Sequence, residues 1–439
     1  MSDTYLRSSS GLTIVNSAGK AFITTSYSSG IMSGDIKGAW LSDTSTASVT
    51  GTELITNGTF TTNTTGWSNH SDYPSAVLSI DTNRLKILGG GAQQSFSTVI
   101  GKTYVVVYTL TAFNPGGIYL GTAATGTAAF SYFSTGSQAT GTYVYYFTAV
   151  STTTYITLFA WNAGTEYAFY DDVSVRLTEP DRSVNNKGLA VYGTITKTAV
   201  ATGSNLVAYS GFSASNYLLN TSSYNFGSPS LCIMGWFKFT DVSVYQYIGS
   251  VFNSTSVQVA GLSFYQSTGT MYLYDTNVIH QSTKTFNDGN WHFVTAIFNG
   301  SQRLGYVDGE LVINSSNNSS LTLTNVSRLS VGHYNYDNEV LYNFTGSLSL
   351  VRFSTSAPSP TQIAKIYNDE KVLFQENSQA TLYGASDAVT ALAYDDTTKL
   401  LSVGTSSGRS DFQGLRRINN TTTAVTTAIS ASNGLIAEQ

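Results

Sequence analysis

Apolar and polar residues alternate in short runs along nearly the whole chain. RLKILGG (84–90), TYVVVYTL (103–110), GTYVYYFTA (141–149) and YITLFAW (155–161) each place apolar side chains on one face of an extended backbone and polar ones on the other. LCIMGWFKF (231–239), YQYIGSVF (245–252), TMYLYD (270–275), HFVTAIFN (292–299), RLGYVDGELV (303–312) and GSLSLVRFS (346–354) do the same. A period of two marks strands with one buried face, and turn residues recur between the runs at the spacing of an antiparallel sandwich. The period changes once. In SAPSPTQIAKIYNDEKVLF (356–374), Ser359 and Pro360 open a helix whose apolar face is Ile363, Ile366 and Leu373, proline being tolerated in a first turn. The pattern predicts an all-β chain: two antiparallel β-sandwiches (jelly rolls), short β-hairpin segments flanking them at both ends, and one short helix.

Breaks in the alternation place the segments. Residues 1–50 form an N-terminal β assembly segment, in which two alternating runs flank NSAGK as a hairpin would. The first sandwich occupies 51–178. EPDRSVNNKG, with its proline and clustered charges, opens a linker at 179–204 that returns to β pattern in VYGTITKTAV. The second, larger sandwich occupies 205–373. Residues 374–439 form a C-terminal hairpin segment, with two strands around DDTTK (395–399) and a polar tail that would order against a partner. Both terminal segments share a hairpin ending in a Ser/Gly-rich break, as blades of a propeller would.

Composition sharpens the class. Charged residues are only 11% of the chain, and 29 Tyr and 22 Phe join abundant Thr, residues that suit a pleated, half-buried surface. A formal net charge of -5 without a basic stripe argues against nucleic acid. No apolar run reaches the roughly 18 residues of a membrane span. MSDTYLRSSS, at the start, has no apolar leader core, so classical secretion is not expected. The single cysteine, Cys232, excludes an intrachain disulfide and cysteine-based zinc, and sits in an apolar run as a small core residue. A surface suited to life outside the cell, without an export signal, fits a protein made in the cytoplasm and released within a particle.

ELITNGTFTTNTTGW (53–67) and YAFYDDVSV (167–175) resemble the opening and closing stretches of jelly-roll carbohydrate-binding modules, across about 51–177. The resemblance implies a structural calcium tying the first strand to the last. The residues bear on it directly: alternation puts Asp171 on the face of Val173 and Val175, pointing inward, where a carboxylate needs a partner. Calcium would supply one, with Glu53 as the nearest second carboxylate; backbone N–H donors are the alternative. Trp67 reads as core. Trp161, near a strand end, reads equally as core or as a sugar-stacking platform.

The second sandwich carries four motifs in order: SLCIMGWFKF, FNDGNWHFVTAIFNGSQRLGYVDGELV, LSVGHYN and FTGSLSLVRFSTSAPSPTQIAKIYNDEK. Together they resemble the laminin-G/pentraxin-like, concanavalin-type superfamily. Asp308-Gly309 suits a type I′ hairpin turn, and Trp236 and Trp291 read as core. The resemblance implies sugar binding on loops at a sandwich edge. The candidate loops hold Asp275, Asn277, His280, Tyr334, Asn335, Tyr336, Asp337 and Asn338; HYNYDN combines rigid tyrosines with adaptable amides.

Catalysis finds no obvious residues. A retaining glycosidase sets two carboxylates about 5–5.5 Å apart, commonly at alternate positions of one strand. The acidic pairs here, Asp171-Asp172, Asp308/Glu310 and Asp395-Asp396, are turn residues, and His70, His280, His292 and His333 show no metal spacing. The expectation is a non-enzymatic binding and assembly protein. NNKGLAVYGTITKTAVATGSNLVAYSGF (185–212) and ALAYDDTTKLLSVGTSSG (391–408) resemble stretches in tail proteins of marine, short-tailed phages. That resemblance implies a virion structural protein of the tail (a fibre, nozzle component or other appendage), assembled in the host cytoplasm. Its expected partners are other virion tail proteins and copies of itself, with the sandwiches reaching host-surface glycans; neither nucleic acid nor membrane insertion is expected. Calcium is the only cofactor implied. A bacterial surface adhesin or lectin, and after it a glycoside hydrolase, are the alternatives.

Overall fold

The computed structural model describes residues 5–7, 13–15, 35–72, 75–112, 116–160, 167–222, 224, 226, 230–253, 257–275, 278–300, 302–316, 321, 323, 326–336, 339–386, 388–425, 429–430 and 436–437. Strands dominate them, as the alternation requires, and the architecture is that of packed antiparallel sheets. Among the described residues no helix is long and apolar enough to cross a membrane.

Two five-stranded sheets form the first sandwich. One runs Phe133–Ser134, Gly116–Gly121, Thr153–Ala160, Gly91–Ser97, Ser68–Asn69. The other pairs Gly141–Thr148 with Thr103–Ala112, then Tyr167–Glu179, Leu85–Leu88 and Val77–Ile80. Their inner faces meet in a core that includes Val106, Leu110, Ile118, Leu120, Ile156, Leu158 and Val175, all at most 1% exposed. Trp67 lies in this core, its ring 5.6 Å from Phe60. Fully burying such side chains is worth roughly 1.5–3 kcal/mol each, which lets the sandwich stand without a disulfide.

The second sandwich is larger. One sheet contains Leu231–Lys238 flanked by His292–Asn299 and Ser347–Ser354, extended through Gln302–Val307 and Glu310–Ser316. The facing sheet runs Tyr217–Asn220, Val326–Val331, Gln246–Asn253, Gln258–Phe264, Thr270–Asp275, Val278–Thr285. Ile233, Phe237, Ile248, Leu262, Phe264, Leu273, Val294 and Phe353 fill the space between. Asp308 (φ 53°) and Gly309 (φ 83°) both adopt the left-handed conformation that the type I′ turn needs.

The helix Pro360–Glu370 forms where the sequence places it. Ser359 and Gln362 make a reciprocal capping box, with proline in the first turn. Ile363 and Ile366 pack on the outer face of the Leu231–Lys238 sheet, against Met234, Trp236 and Phe293. Trp236 is 2% exposed and donates to Glu370 Oε2 at 2.7 Å. Trp291 differs from expectation: it is half-buried, clasped against Phe374 and donating to Val200 O at 3.0 Å. It closes the seam beneath the helix end rather than filling the interior.

Two stretches depart from the sequence reading. Ile36–Trp40, assigned above to the N-terminal segment, pairs with Ser347–Ser354. Trp40 draws it there, for its ring is fully buried in the second core and its Nε1 donates to Lys187 O at 3.1 Å. EPDRSVNNKG is a tied connection. Asp181 Oδ1 accepts from the N–H groups of Ala39 and Ser183, and Oδ2 from Ser183 Oγ and Lys187 N, at 2.8–2.9 Å. Beyond the helix, Val389–Asp395, Leu400–Thr405, Gly408–Gln413 and Arg416–Thr421 form a four-stranded meander over a small core of Leu401, Val403 and Phe412. The expected strands around DDTTK are the first two of these. Of the hairpin expected around NSAGK, Thr13–Val15 pairs with Tyr5–Arg7, and the turn and second run lie outside the described residues.

Candidate functional site

The sheet containing Gln246–Asn253, Gln258–Phe264 and Thr270–Asp275 has two very different faces. Ile248, Leu262, Phe264, Met271 and Leu273 turn inward. Tyr247, Ser263 and Tyr272 stand opposite one another across the three strands and turn outward, because successive side chains point to opposite faces. Tyr245 and Tyr265 flank the same strands. The short hairpin Tyr334–Tyr336 with Glu339–Leu341 adds Tyr334 and, just after it, Tyr342.

These six rings form one continuous surface. Tyr245 lies 6.3, 5.2, 5.6 and 5.3 Å, centroid to centroid, from Tyr247, Tyr265, Tyr272 and Tyr342. Tyr247 lies 5.0 Å from Tyr334 and 6.3 Å from Tyr342, and Tyr265 lies 5.6 Å from Tyr272. Tyr247 and Tyr272, each 7% exposed, are the floor, while Tyr342, 41% exposed, is the most open ring. Burial, reinforced by neighbouring phenols, raises the pKa values of Tyr245, Tyr247 and Tyr272, so their hydroxyls remain neutral. Beside Tyr342, Asn343 Oδ1 is shielded from solvent and accepts no hydrogen bond from the described protein. The face thus offers flat apolar area with phenolic hydroxyls, which is how aromatic side chains combine an apolar body with a polar handle.

Of the residues singled out from sequence, Tyr334 belongs to this face. Asn335 does not reach it: it is 2% exposed and accepts from Arg328 Nη1 at 2.6 Å. Tyr336 lies in the same short strand. Trp161, Asn277, Asp337 and Asn338 lie outside the described residues. Asp275 requires a correction, since it is not on a loop surface. It shares the inward parity of Met271 and Leu273, is fully buried and is paired with the equally buried Arg303 from the facing sheet. His280 Nε2 stands 3.9 Å from its carboxylate, and His280 Nδ1 shares a 2.8 Å hydrogen bond with Ser315 Oγ. An ionised carboxylate between two sheets needs such a cation, and the cluster seals one end of the core.

The clasp between the opening and closing stretches of the first sandwich is present, but its donors are protein groups. Glu53 Oε1 accepts from Ile55 N (3.0 Å) and Val175 N (2.9 Å), while Oε2 accepts from Ser174 Oγ (2.7 Å) and lies 3.3 Å from Arg176 Nη2. A bulge between Asp171 and Ser174, with Asp172 at φ 49°, breaks the alternation that would aim Asp171 inward. Asp171 is half-exposed and accepts from Asp172 N at 2.8 Å. Among the described residues no three His, Cys, Asp or Glu side chains gather as a metal site would require. Calcium does not suit Glu53 as it stands, because both its oxygens already face N–H and O–H donors, and the bulge turns Asp171 away from the interior.

Sequence reasoning missed five of the six platform residues. The signal was present in YQY, SFY and TMYLY, where tyrosines occupy the positions alternate to the core residues. A tyrosine there was read as strand-forming, when its place on the outer face was what mattered.

Against this geometry stand the known proteins. Residues 212–364 match the Concanavalin A-like lectin/glucanases superfamily. That stretch contains every residue of the tyrosine face. No curated protein matches the chain in sequence. Among solved structures, a heptameric SAP-like pentraxin from Limulus polyphemus is 16% identical, with a TM-score of 0.31, over 37% of this chain and 81% of its own. A sialidase carbohydrate-binding module (CBM40) from Ruminococcus gnavus, bound to α2,3-sialyllactose, is 16% identical over 31% and 82%, with a TM-score of 0.29. Domain 4 of an extracellular arabinanase from Geobacillus stearothermophilus, in complex with arabinotriose, is 12% identical over 43% and 92%, with a TM-score of 0.34. With TM-scores this low, no site is transferred from any of them.

Proposed function

We propose that this chain is a non-catalytic glycan-binding protein, gripping a neutral saccharide on the tyrosine face of its second sandwich. The observation that carries the reading is the six-ring surface of Tyr245, Tyr247, Tyr265, Tyr272, Tyr334 and Tyr342 inside a lectin-type domain. The C–H face of a sugar ring stacks on such rings, and its hydroxyls meet the phenolic hydroxyls. Tyrosine gives this contact at low entropic cost. A non-catalytic role is supported by four of the six carboxylates singled out from sequence: Asp308 is engaged by His292, Glu310 by Lys284, Asp396 by Lys399 and Asp395 by Thr398.

The test is a glycan array followed by titration of the best ligand. Tyr342→Ala and Tyr245→Ala are each expected to weaken binding about tenfold or more, equivalent to about 1.4 kcal/mol. Tyr394→Ala, on an exposed tyrosine of the C-terminal sheet, should leave it unchanged. Equal affinity in all three variants would remove the reading.

The wider assignment is to an appendage of a tailed-phage tail, self-associating through the terminal segments and presenting the sandwiches to the host surface. It rests on the resemblance of residues 185–212 and 391–408. Mass spectrometry of purified particles tests it separately: recovery of the chain with tail proteins supports it, and recovery from a cell envelope instead would transfer the glycan reading to a surface adhesin.

A further inference from the structure

One lysine ion pair is sheltered from water. Lys197 Nζ lies 2.6 Å from Asp43 Oδ2, and the lysine side chain is 6% exposed. Lys284–Glu310, Lys365–Asp369 and Lys399–Asp396 are surface pairs by contrast, with side chains 39–86% exposed. The sheltered partners stand 154 positions apart in sequence. Lys197 is the cross-strand neighbour of Tyr209, and its Nζ stands 5.7 Å from the centre of that ring. Asp43 is anchored beside the same strand, its carbonyl accepting from Val207 N at 3.0 Å.

The carboxylate of Asp43 is oriented at both oxygens. Oδ2 takes the ammonium, while Oδ1 accepts from Thr44 N at 2.7 Å and Ser45 N at 3.4 Å. Burial opposes ionisation of Asp43, but these donors outweigh it, so the pair starts as ions. Scant contact with water narrows the gap to the neutral amine and acid, the forms that react. Glu179, buried nearby and bonded to Tyr209 Oη at 2.7 Å, feels the charges of both partners. Burial raises its pKa to about 7, so below that pH it adds no negative charge to hold the lysine as an ammonium. Contact imposed by the fold replaces a bimolecular encounter, and well-oriented pairs reach effective molarities of about 10⁵–10⁸ M. That favours a condensation that dilute partners in water do not undergo.

We propose that Lys197 and Asp43 condense into an intramolecular amide, a cross-link that closes the chain around the first sandwich and is independent of the tyrosine face. One proton passes from Nζ to Oδ2, and the freed lone pair attacks Cγ. Oδ1 then carries the negative charge towards the Thr44 and Ser45 N–H groups, as an oxyanion does towards fixed donors. A second Nζ proton leaves with Oδ2 as water. The Nζ–Cγ bond forms, the Cγ–Oδ2 bond breaks, and nothing is oxidised or reduced. Residues 44–196 become a closed loop holding the whole first sandwich, so a pull on the two ends of the chain bypasses that sandwich and loads the second directly.

The experiment is mass spectrometry of the purified full-length chain, intact and after tryptic digestion under denaturing conditions. The intact protein is expected to be lighter than its sequence mass by one water, and the digest to contain a branched peptide joining 38–84 to 188–238, uncut at Lys197. Lys197→Arg keeps the cation but not the nucleophilic amine, and should have its full sequence mass and a parental circular dichroism spectrum; Asp43→Ala should likewise have its full mass. A single proteolytic cut inside 44–196 should leave the two pieces joined on a denaturing reducing gel in the parent and separate in Lys197→Arg. A parent at its full sequence mass, a loss of water without the branched peptide, or the same loss in Lys197→Arg would each overturn the inference.

Discussion

A single histidine shows how this protein converts turn sequence into fixed geometry. His292 Nδ1 hydrogen-bonds to Asp308 Oδ2 at 2.7 Å and Nε2 to Asp288 Oδ1 at 3.0 Å, so one imidazole ties the Asp288-Gly289-Asn290 turn to the Asp308-Gly309 hairpin. Burial pulls its pKa down, but the hydrogen bonds and charges of Asp308 and Asp288 outweigh burial and raise it above 6.5. Burial likewise opposes ionisation of Asp288, yet donors from Asn290 and His292 hold that carboxyl down to about 2. A raised histidine contributes stability that is complete below its unfolded value near 6.5 and is lost as pH climbs through the folded value. Melting temperature should therefore decline on that alkaline flank, and His292→Gln should flatten it; an identical profile in the variant would show the clamp to be idle. Glu53 invites a sharper test. Glu53→Gln should cost about 1–3 kcal/mol through weakened acceptors for the Val175 and Ile55 N–H groups, while a strong chelator leaves the melting temperature unmoved. A large chelator-induced drop would restore calcium to the clasp. At this scale the sequence was only partly legible: it marked the acidic residues but not which way they point, and one bulge at Asp171 and one parity at Asp275 decided both.

Elements were easier to read, since alternation and capping are local. Ser359, Pro360 and Gln362 specify the helix start without help from the rest of the chain. What local pattern does not carry is the latch that fixes the helix to its sheet. Glu370 takes a bidentate grip from Arg352, 2.6 and 3.0 Å, while accepting from Trp236 Nε1 at 2.7 Å. These residues are 134 and 18 positions away from Glu370 in sequence, and nothing in their neighbours announces the contact. Trp236→Ala should cost about 3–5 kcal/mol, the range for emptying a large core site, and more than Trp291→Ala, whose ring is half-buried. Arg352→Met strands a buried carboxylate and should cost a similar amount, whereas adding Glu370→Gln neutralises that carboxylate, keeps an acceptor for Trp236 and should recover part of the loss. Denaturant unfolding of the two proteins decides it: a double variant less stable than the single one would mean the ion pair is not what Arg352 supplies. The tyrosine face lies between these cases, because its strands were visible and its outward parity was readable, but only the Tyr334 hairpin had been taken for a site.

At the scale of the whole molecule, the two sandwiches are joined by hydrogen-bonded structure. Tyr167–Glu179 ends its run in the first sandwich by pairing Thr178 and Glu179 with Ala190 and Leu189, and Leu189–Ala199 continues the ladder to Tyr217–Asn220. Tyr146 of the first sandwich meets Ser222 and Asn220 at 2.7 and 2.8 Å. Arg176 lies 4.3 Å from the Tyr192 ring, Tyr192 stacks on Tyr217 at 4.3 Å, and Tyr217 lies 5.2 Å from His333, next to Tyr334. The proline and charges of 179–188 read as a linker because composition cannot show that Asp181 gathers four donors there. At the centre of the junction, Glu179 is 2% exposed and accepts from Tyr209 Oη at 2.7 Å, with Lys197, Asp43 and Arg182 as the charged groups around it. Burial raises its pKa from 4.5 to about 7, against the opposing pull of the Tyr209 hydrogen bond and of Lys197. An acid raised on folding holds its proton more tightly in the folded state, so its stabilising contribution is complete below about 4.5 and is gone once pH passes about 7. Between those limits the junction should weaken by a few kcal/mol, and calorimetry should show one shared transition at the acidic end that broadens or divides as pH rises. Glu179→Gln, uncharged throughout, should keep the single transition across the window, and a parent protein whose unfolding is equally cooperative at both ends would show that the two sandwiches are coupled without regard to the charge at their junction.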